Sequence, residues 1–388
     1  MQMNTMTNGM RRAIKPVSLL LVPSLLIFTT GYAFAGEDKI GFTSYFFSDS
    51  GENSVVTTSF NLAKRIFHKT AVLLDIELDH VTVPAVTAVT GATRPQRKIN
   101  EPFEKSRGQV IFGVEQGLEN DYTVAANMYR SQEVDYLSTA FIGTVSKELN
   151  EKNTTLTLRG QYNADLVGKI EANSSLTEHK KKVVTGALNL TQLLSATTVL
   201  DAGYDFVYLK GYLSDPYRQV TIIDGNGGSV TTDEMHPSRR TRQAVSGRLT
   251  QMIPTIKGSL IGGYRYYFDN WKVQSHTADL KFNKYVVNDV IFSVNYRYYT
   301  QSASYFTLSR YVGQEYLSTG YRTADYKLKA FSSNNFGISL EYLLRGIGKL
   351  NPDLDFLQNS SIEVNYFKYF NDLDFVANIV QFSLRVSI

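Results

Sequence analysis

From about residue 40 to the C-terminus, apolar and polar side chains alternate with a period of two. In residues 290–299, Val290, Phe292, Val294, Tyr296 and Tyr298 take one parity, and Ser293, Asn295, Arg297 and Tyr299 the other. The preceding segment sets Ala278, Leu280 and Phe282 against Ser275, Thr277, Asp279, Lys281 and Asn283. Leu156, Leu158 and Tyr162 oppose Thr155, Thr157, Arg159, Gln161 and Asn163, and Leu200, Ala202, Tyr204, Phe206 and Tyr208 oppose Asp201, Gly203 and Asp205. Val72, Leu74, Ile76 and Leu78 oppose Asp75, Glu77 and Asp79, and at the C-terminus Val380, Phe382, Leu384 and Val386 oppose Gln381, Ser383, Arg385 and Ser387. A strand points successive side chains to opposite faces, so each segment is a strand between two unlike environments.

A soluble sandwich also alternates, with one face in its core. Three details favour a barrel in a membrane. The polar face carries bulky charges and amides, and the segments exceed the five or six residues usual for globular strands. Tyrosines cluster at strand ends on the apolar side, where an amphipathic ring suits a bilayer interface. The pattern predicts an all-β fold, a transmembrane antiparallel up-and-down β-barrel of about 16 strands, within a range of roughly 14–18. Strands are expected near 40–48, 54–66, 70–82, 108–117, 121–131, 136–148, 154–164, 182–194, 197–209 and 241–252. The rest are expected near 257–269, 273–284, 288–300, 324–345, 358–369 and 375–388, with 324–345 taken as one long strand despite its turn-like SSNN. GLEND, NEKN, LSAT, IPTIK and VVND become short periplasmic turns, and 83–107, 165–181, 210–240 and 301–323 become long extracellular loops. Within the third loop, QVTIIDGNGGSVTT reads as a hairpin around an Asn-Gly turn.

The tetrapeptide YRYY occurs at Tyr264–Tyr267 and again at Tyr296–Tyr299, one ascending strand apart. Tyr264, Tyr266, Tyr296 and Tyr298 are expected in an aromatic girdle, with Arg265 and Arg297 in the lumen. An arginine turned to lipid at midplane would cost roughly 2–4 kcal/mol, which fixes the register.

The N-terminus changes the compartment. Arg11, Arg12 and Lys15, the apolar run VSLLLVPSLLIF and Ala33-Phe34-Ala35 before Gly36 have the three parts of a secretory signal. Residues 1–35 are therefore read as a cleaved signal peptide and 36–388 as the barrel domain, exported to the bacterial outer membrane of a Gram-negative cell. Loss of those three basic residues leaves the chain nearly neutral from a starting charge of +4, which argues against nucleic-acid binding. Cysteine is absent, so disulfides, thiolate metal sites and a lipidated N-terminal cysteine are excluded. Composition fits an interface-rich barrel, with 25 Tyr and 22 Phe against one Trp. Fewer than ten mature residues precede the first expected strand, too few for a plug.

Three local signatures, VTGATRP (Val89–Pro95), RSQEVDYLS (Arg130–Ser138) and NYRYYTQSASYF (Asn295–Phe306), resemble the uncharacterised bacterial family catalogued as domain of unknown function 3570. DNWKVQSHT (Asp269–Thr277) adds a weaker fourth. The resemblance implies an outer-membrane protein with no established activity and no catalytic residues.

Candidate chemistry is therefore lumenal. Asp75, Glu77 and Asp79 form an acidic row beside Glu115, while Arg159, Arg265, Arg297 and Arg385 point inward from other strands, as do Asp201 and Asp205. Opposed acidic and basic walls would impose a transverse field; the bland alternative is a lumen closed by internal ion pairs. Glu133 and Asp135 could hold a hard cation or could bridge to a neighbouring basic residue. DGNGG at 224–228 is read as a turn, and the five histidines carry no HExxH motif. No metal, cofactor or catalytic site is expected. The leading expectation is a porin-like channel for small hydrophilic solutes. The alternative is a scaffold barrel holding an exported or surface protein, and a barrel enzyme is a distant third. Expected partners are outer-membrane lipid, lipopolysaccharide and the barrel-assembly machinery.

Overall fold

The computed structural model describes residues 38–83, 103–170, 175–224, 228–349 and 352–388. The signal segment, the VTGATRP motif and the Asn-Gly tip of the hairpin lie outside the described residues. The first nine strands are β1 (Lys39–Asp49), β2 (Ser54–Phe67), β3 (Thr70–Val83), β4 (Phe103–Gly117), β5 (Tyr122–Gln132), β6 (Tyr136–Leu149), β7 (Thr154–Ile170), β8 (Leu176–Ser195) and β9 (Thr198–Gly211). A loop hairpin follows, β10 (Gln219–Ile223) and β11 (Ser229–Asp233). Then come β12 (Arg239–Ile253), β13 (Gly258–Asp269), β14 (Gln274–Val287), β15 (Val290–Gln301), the two-residue β16 (Tyr311–Val312), β17 (Phe331–Leu343), β18 (Ser361–Asn371) and β19 (Val376–Ser387).

Sixteen of these strands close into a ring of antiparallel neighbours, and β10, β11 and β16 form a separate three-stranded sheet. Closure comes from β19 pairing with β1 from Lys39↔Ser387 to Asp49↔Ala377. The order round the ring follows the chain, so every barrel connection joins neighbours. The first and last described residues lie at one rim, the terminal rim, where the Ile388 amide donates to the Asp38 carbonyl over 3.0 Å.

Burial is inverted relative to a soluble domain. Leu78, Phe112 and Leu280 are 59%, 55% and 51% exposed on the outer face, whereas Ser131, Ser275 and Ser383 are buried inside. Such a surface is stable only against hydrocarbon. The outer face also marks its own limits. Near the terminal rim, directly opposed outer residues pair on four successive hairpins: Thr70 with Gln116, Lys147 over the Tyr122 ring, Thr154 with Gln192, and Thr198 with Gln251. Towards the other rim, the loop rim, four outer tyrosines reach diagonally to a polar residue on the next strand. Tyr204 donates to Gln243 (2.7 Å), Tyr296 to Asn334 (2.8 Å) and Tyr366 to Asn378 (2.8 Å), and Tyr264 Oη lies 2.6 Å from His276 Nδ1. Each ring lies against the apolar band while its hydroxyl turns to the polar side, as an interface requires. Tyr266 and Tyr298 sit one outward position beyond this belt, with Tyr266 stacked on Phe268.

The register also explains the paired YRYY motifs. Arg265 faces Thr277, which in turn faces Tyr299, so Arg297 is offset by two residues along β15. Pairing climbs by about one residue per strand round this tilted barrel, and that offset brings the two arginines level.

Three expectations need correction. Residues 165–181 are not a long loop, because β7 and β8 stay paired out to Ile170↔Leu176, beyond the point where amphipathic contrast fades. The expected strand 324–345 begins only at Phe331. Before it, Asp325 caps a 3-10 turn at Tyr326–Leu328 by accepting from the Lys327 amide. SSNN lies inside β17, fully paired with β15. Finally, the terminal rim is not served by tight turns alone: β17 and β18 are joined through a helical turn at Arg345–Gly348 and a 3-10 segment at Pro352–Asn359.

Leu280 tests the inverted packing. Leu280→Arg is expected to cost roughly 2–4 kcal/mol of folded stability, read as a lowered denaturant midpoint in lipid vesicles. An unchanged midpoint would place that face away from hydrocarbon.

Candidate functional site: a charge-segregated lumen under a two-loop cap

Hydrogen bonds and ion pairs join ionisable groups across the inner face. On β3, Asp75 accepts from Asn61, Asp79 accepts from Thr57 (2.6 Å), and Arg107 of β4 bonds both Glu77 (2.7 Å) and Asp79 (2.6 Å). Glu115 lies lower on β4, opposite Ala71. Arg107 thus serves two of the four carboxylates on this wall. Eight strands away round the ring, on the opposite side, cations predominate. Arg265 of β13 lies 3.6 Å from Asp205 of β9, Arg297 of β15 pairs with Asp279 of β14, and Lys281 follows two residues below Asp279. Arg248 of β12 faces Asp201 of β9 across the pair. Arg159, on the intervening β7, bonds Gln161 at 3.3 Å. Arg385 belongs to a separate cluster near the terminal rim, bridging Glu341 (3.1 Å) and Glu363 (2.6 Å). The acidic residues Glu133 and Asp135 hold an ammonium group: Lys105 lies 2.5 and 2.6 Å from them.

Above the lumen the two long loops build one body. The strand β16 adds in parallel to β10, extending the β10–β11 hairpin. Val220, Ile222, Tyr311 and Ala324 form a core beneath this sheet, and Trp271, Phe306 and Leu328 form a second. Arg322 sews the loops together, its Nε donating to the Asp233 carbonyl (2.9 Å) and its Nη1 to the Tyr316 carbonyl (2.6 Å).

The central joint is Arg218. Its guanidinium lies 3.4 Å from each of Asp215 and Glu234 in its own loop and Asp325 in the other. The Glu234 side chain is fully buried, and it also accepts from the Thr323 hydroxyl (3.1 Å) and the Asp215 amide (2.7 Å). Burial raises the Glu234 pKa, but the His236 hydrogen bond and the Arg218 charge outweigh it and hold the carboxyl below its ordinary range. His236 is fixed between the Leu213 carbonyl and Thr323 Oγ1, each 3.0 Å away, with Trp271 and Phe306 around its ring.

These contacts make a chord across the mouth. Tyr217, next to Arg218, donates to Asp135 (2.7 Å) in the turn between β5 and β6. Tyr326, next to Asp325, stacks on Phe375, in the turn between β18 and β19, at 6.4 Å. Those turns lie on well-separated sides of the ring, so the line Asp135–Tyr217–Arg218–Asp325–Tyr326–Phe375 crosses the opening. Sequence reasoning missed Arg218, Glu234 and Asp325. They come together only once the two loops are juxtaposed.

Residues 79–175 and 167–387 match the family model described as "Protein of unknown function (DUF3570)", and the chain belongs to that family. No curated protein matches the sequence. Solved structures with similar folds include the ferric enterobactin receptor of Pseudomonas aeruginosa, at 12% identity and TM-score 0.47 over 87% of this chain. This chain spans about half of that receptor, 54% of its length. OpdK of Pseudomonas aeruginosa, crystallised with vanillate, aligns over 91% of this chain and 98% of its own, at 9% identity and TM-score 0.44. A BenF-like porin from Pseudomonas fluorescens gives 8% identity and TM-score 0.44, with the same coverage of both chains.

Lys327 makes the cap sensitive to alkaline pH. Burial brings its pKa down to about 8; Asp325 and Asp215 oppose that shift, and Arg218 adds to it. In an undocked loop it would return to about 10.4. Between those values the undocked state binds more protons, so docking strengthens as pH rises. Protease nicking of the 302–330 loop is expected to be slower at pH 9.5 than at pH 7, and Lys327→Met should abolish the difference.

Proposed function

We propose that this DUF3570 member is an outer-membrane channel for small hydrophilic solutes, with its loop rim facing outward and its two-loop cap controlling entry. The observation that carries the reading is the division of lumenal charge. On one side Asp75, Glu77, Asp79 and Glu115 outnumber Arg107, and on the facing side Arg248, Arg265, Lys281 and Arg297 outnumber Asp201, Asp205 and Asp279. A solute passing between them meets a transverse field that favours dipolar and zwitterionic molecules and orders the water they displace. A sixteen-stranded ring is wide enough to keep an aqueous lumen. The cap supplies the restriction, since its chord lies across the path.

A scaffold role has one feature in its favour. Ile66, Phe67, Phe356 and Ile388 leave exposed apolar surface round a cavity of 670 Å³ at the terminal rim, a shape suited to an exported protein. Stoichiometric recovery of such a protein, lost in Phe67→Ser/Phe356→Ser, would support that reading.

Single-channel recording in planar bilayers tests the channel. Wild-type protein is expected to show stepwise conductance. Arg218→Ala leaves Glu234 without its guanidinium, which costs on the order of 3 kcal/mol, and should raise open probability or conductance severalfold. If neither protein gives discrete steps, the channel reading fails.

A further inference from the structure

The outer face of β8, β9 and β12 carries charges that neither the lumen nor the cap uses. Lys182 is paired directly with Lys210, and Lys210 directly with Arg239, so three cations stand side by side on adjacent strands. Lys180 lies on the same face of β8, one outward position nearer the loop rim. All four are exposed. Their outward direction follows from parity: Lys182 shares a face with Val184 and Leu188, Lys210 with Tyr204 and Phe206, and Arg239 with Val245 and Leu249, all of which are exposed apolar residues.

Their height is fixed by the tyrosine belt. On β12, Gln243 receives the belt hydroxyl of Tyr204, and Arg239 is the second outward position beyond it. On β9, Tyr208 separates Phe206 from Lys210, and on β8 Val184 lies immediately below Lys182. The cations thus begin where the apolar band ends, at the depth of lipid headgroups rather than hydrocarbon.

Such an arrangement is unfavourable by itself. Directly opposed side chains have Cβ atoms about 5 Å apart, and like charges there repel. Among the described residues, no carboxylate forms an ion pair with any of the four. The nearest outward acid along the strand, Glu178, is one position beyond Lys180 and bonds none of them. Other outward cations near the loop rim stand apart, Arg130 on β5 and Lys368 on β18.

We propose that Lys180, Lys182, Lys210 and Arg239 bind the phosphorylated headgroup of an outer-leaflet lipid, with its acyl chains lying along Val184, Phe206 and Tyr208 below. Phosphate oxygens between adjacent cations replace mutual repulsion with charge-assisted hydrogen bonds, and Arg239 can engage two oxygens at once. The site depends on the membrane orientation of the barrel and is independent of whether the lumen conducts.

The test uses the full chain purified in detergent and three probes: a lipid A carrying two phosphates, the same lipid with both removed, and inorganic phosphate. Diphosphorylated lipid A is expected to raise the melting temperature of the wild type, less so at high salt. A combined Lys180→Gln/Lys182→Gln/Lys210→Gln/Arg239→Gln variant should bind on the order of 100-fold more weakly. A Lys182→Arg/Lys210→Arg/Arg239→Lys variant keeps the charge and should retain binding. Outer residues Lys64, Lys147 and Lys284, near the terminal rim, serve as control sites, and their replacement by Gln should change nothing. The proposal is overturned if the neutralised variant binds as wild type does, if the phosphate-free lipid binds equally well, or if inorganic phosphate stabilises the wild type as much at the same concentration. Should the neutralised variant not fold, the comparison of the two lipids on wild-type protein decides the matter alone.

Discussion

The ladder between β1 and β19 is the contact on which everything else depends. In hydrocarbon a backbone N–H or C=O has no water to turn to, and each one left unpaired costs several kcal/mol. Sixteen strands joined by only fifteen ladders would still present two open edges, whereas joining Lys39–Asp49 to Ala377–Ser387 leaves none in the ring. Closure also divides space into an inside and an outside, so the period-two pattern must choose a direction. A slip of one residue on β3, β13 or β15 would send its inward charges into lipid, and the register is therefore held by the inward polar groups.

Crossing the edge of the membrane reverses the rule for apolar groups. Within the barrel, Leu78, Phe112 and Leu280 point out and serines point in. In the cap, which stands in water, Ile222, Trp271 and Phe306 are buried as in any soluble domain. The loops meet the entropic cost of ordering by building two small cores and a sheet of their own. Polar groups reverse as well. The lumen exposes its ion pairs to water, whereas the cap buries Glu234 and must surround it with Arg218, His236 and Thr323.

The barrel was legible in sequence because alternation over a dozen residues has few other physical causes, and because an arginine between outward tyrosines allows only one register. Strand count survived the ambiguity of SSNN, since Asn334 takes the Tyr296 hydroxyl and Asn335 faces the lumen within one continuous strand. Extent was less legible. β7 and β8 continue past the membrane, where nothing selects apolar residues and the pattern fades while the hydrogen bonds persist. The cap was illegible for a different reason. Arg218, Glu234 and Asp325 meet through contacts between distant loops, and sequence spacing carries no trace of such a meeting. The outer cations lay in plain view as Lys180, Lys182, Lys210 and Arg239, but only the cross-strand register places them side by side.

That register joins the outer surface to the cap. The loop carrying Arg218 leaves β9 just after Lys210 and enters β12 at Arg239. Its stem is clamped by the Gly211 amide on the Ser238 carbonyl (2.9 Å) and by Trp271 Nε1 on the Arg239 carbonyl (3.0 Å). Gly211 adopts φ 121°, and a Cβ there would meet the Lys180 carbonyl at 2.2 Å, so the chain can turn inward over the mouth only with glycine at this point. Arg240, next in sequence to Arg239, points the other way, packing on Trp271 at 4.2 Å and pairing with Asp269. One short stretch of β12 thus holds an outward cation at headgroup depth and an inward cation beneath the cap. A strand shared by the two faces would give the proposed lipid contact and the roof of the lumen a common support.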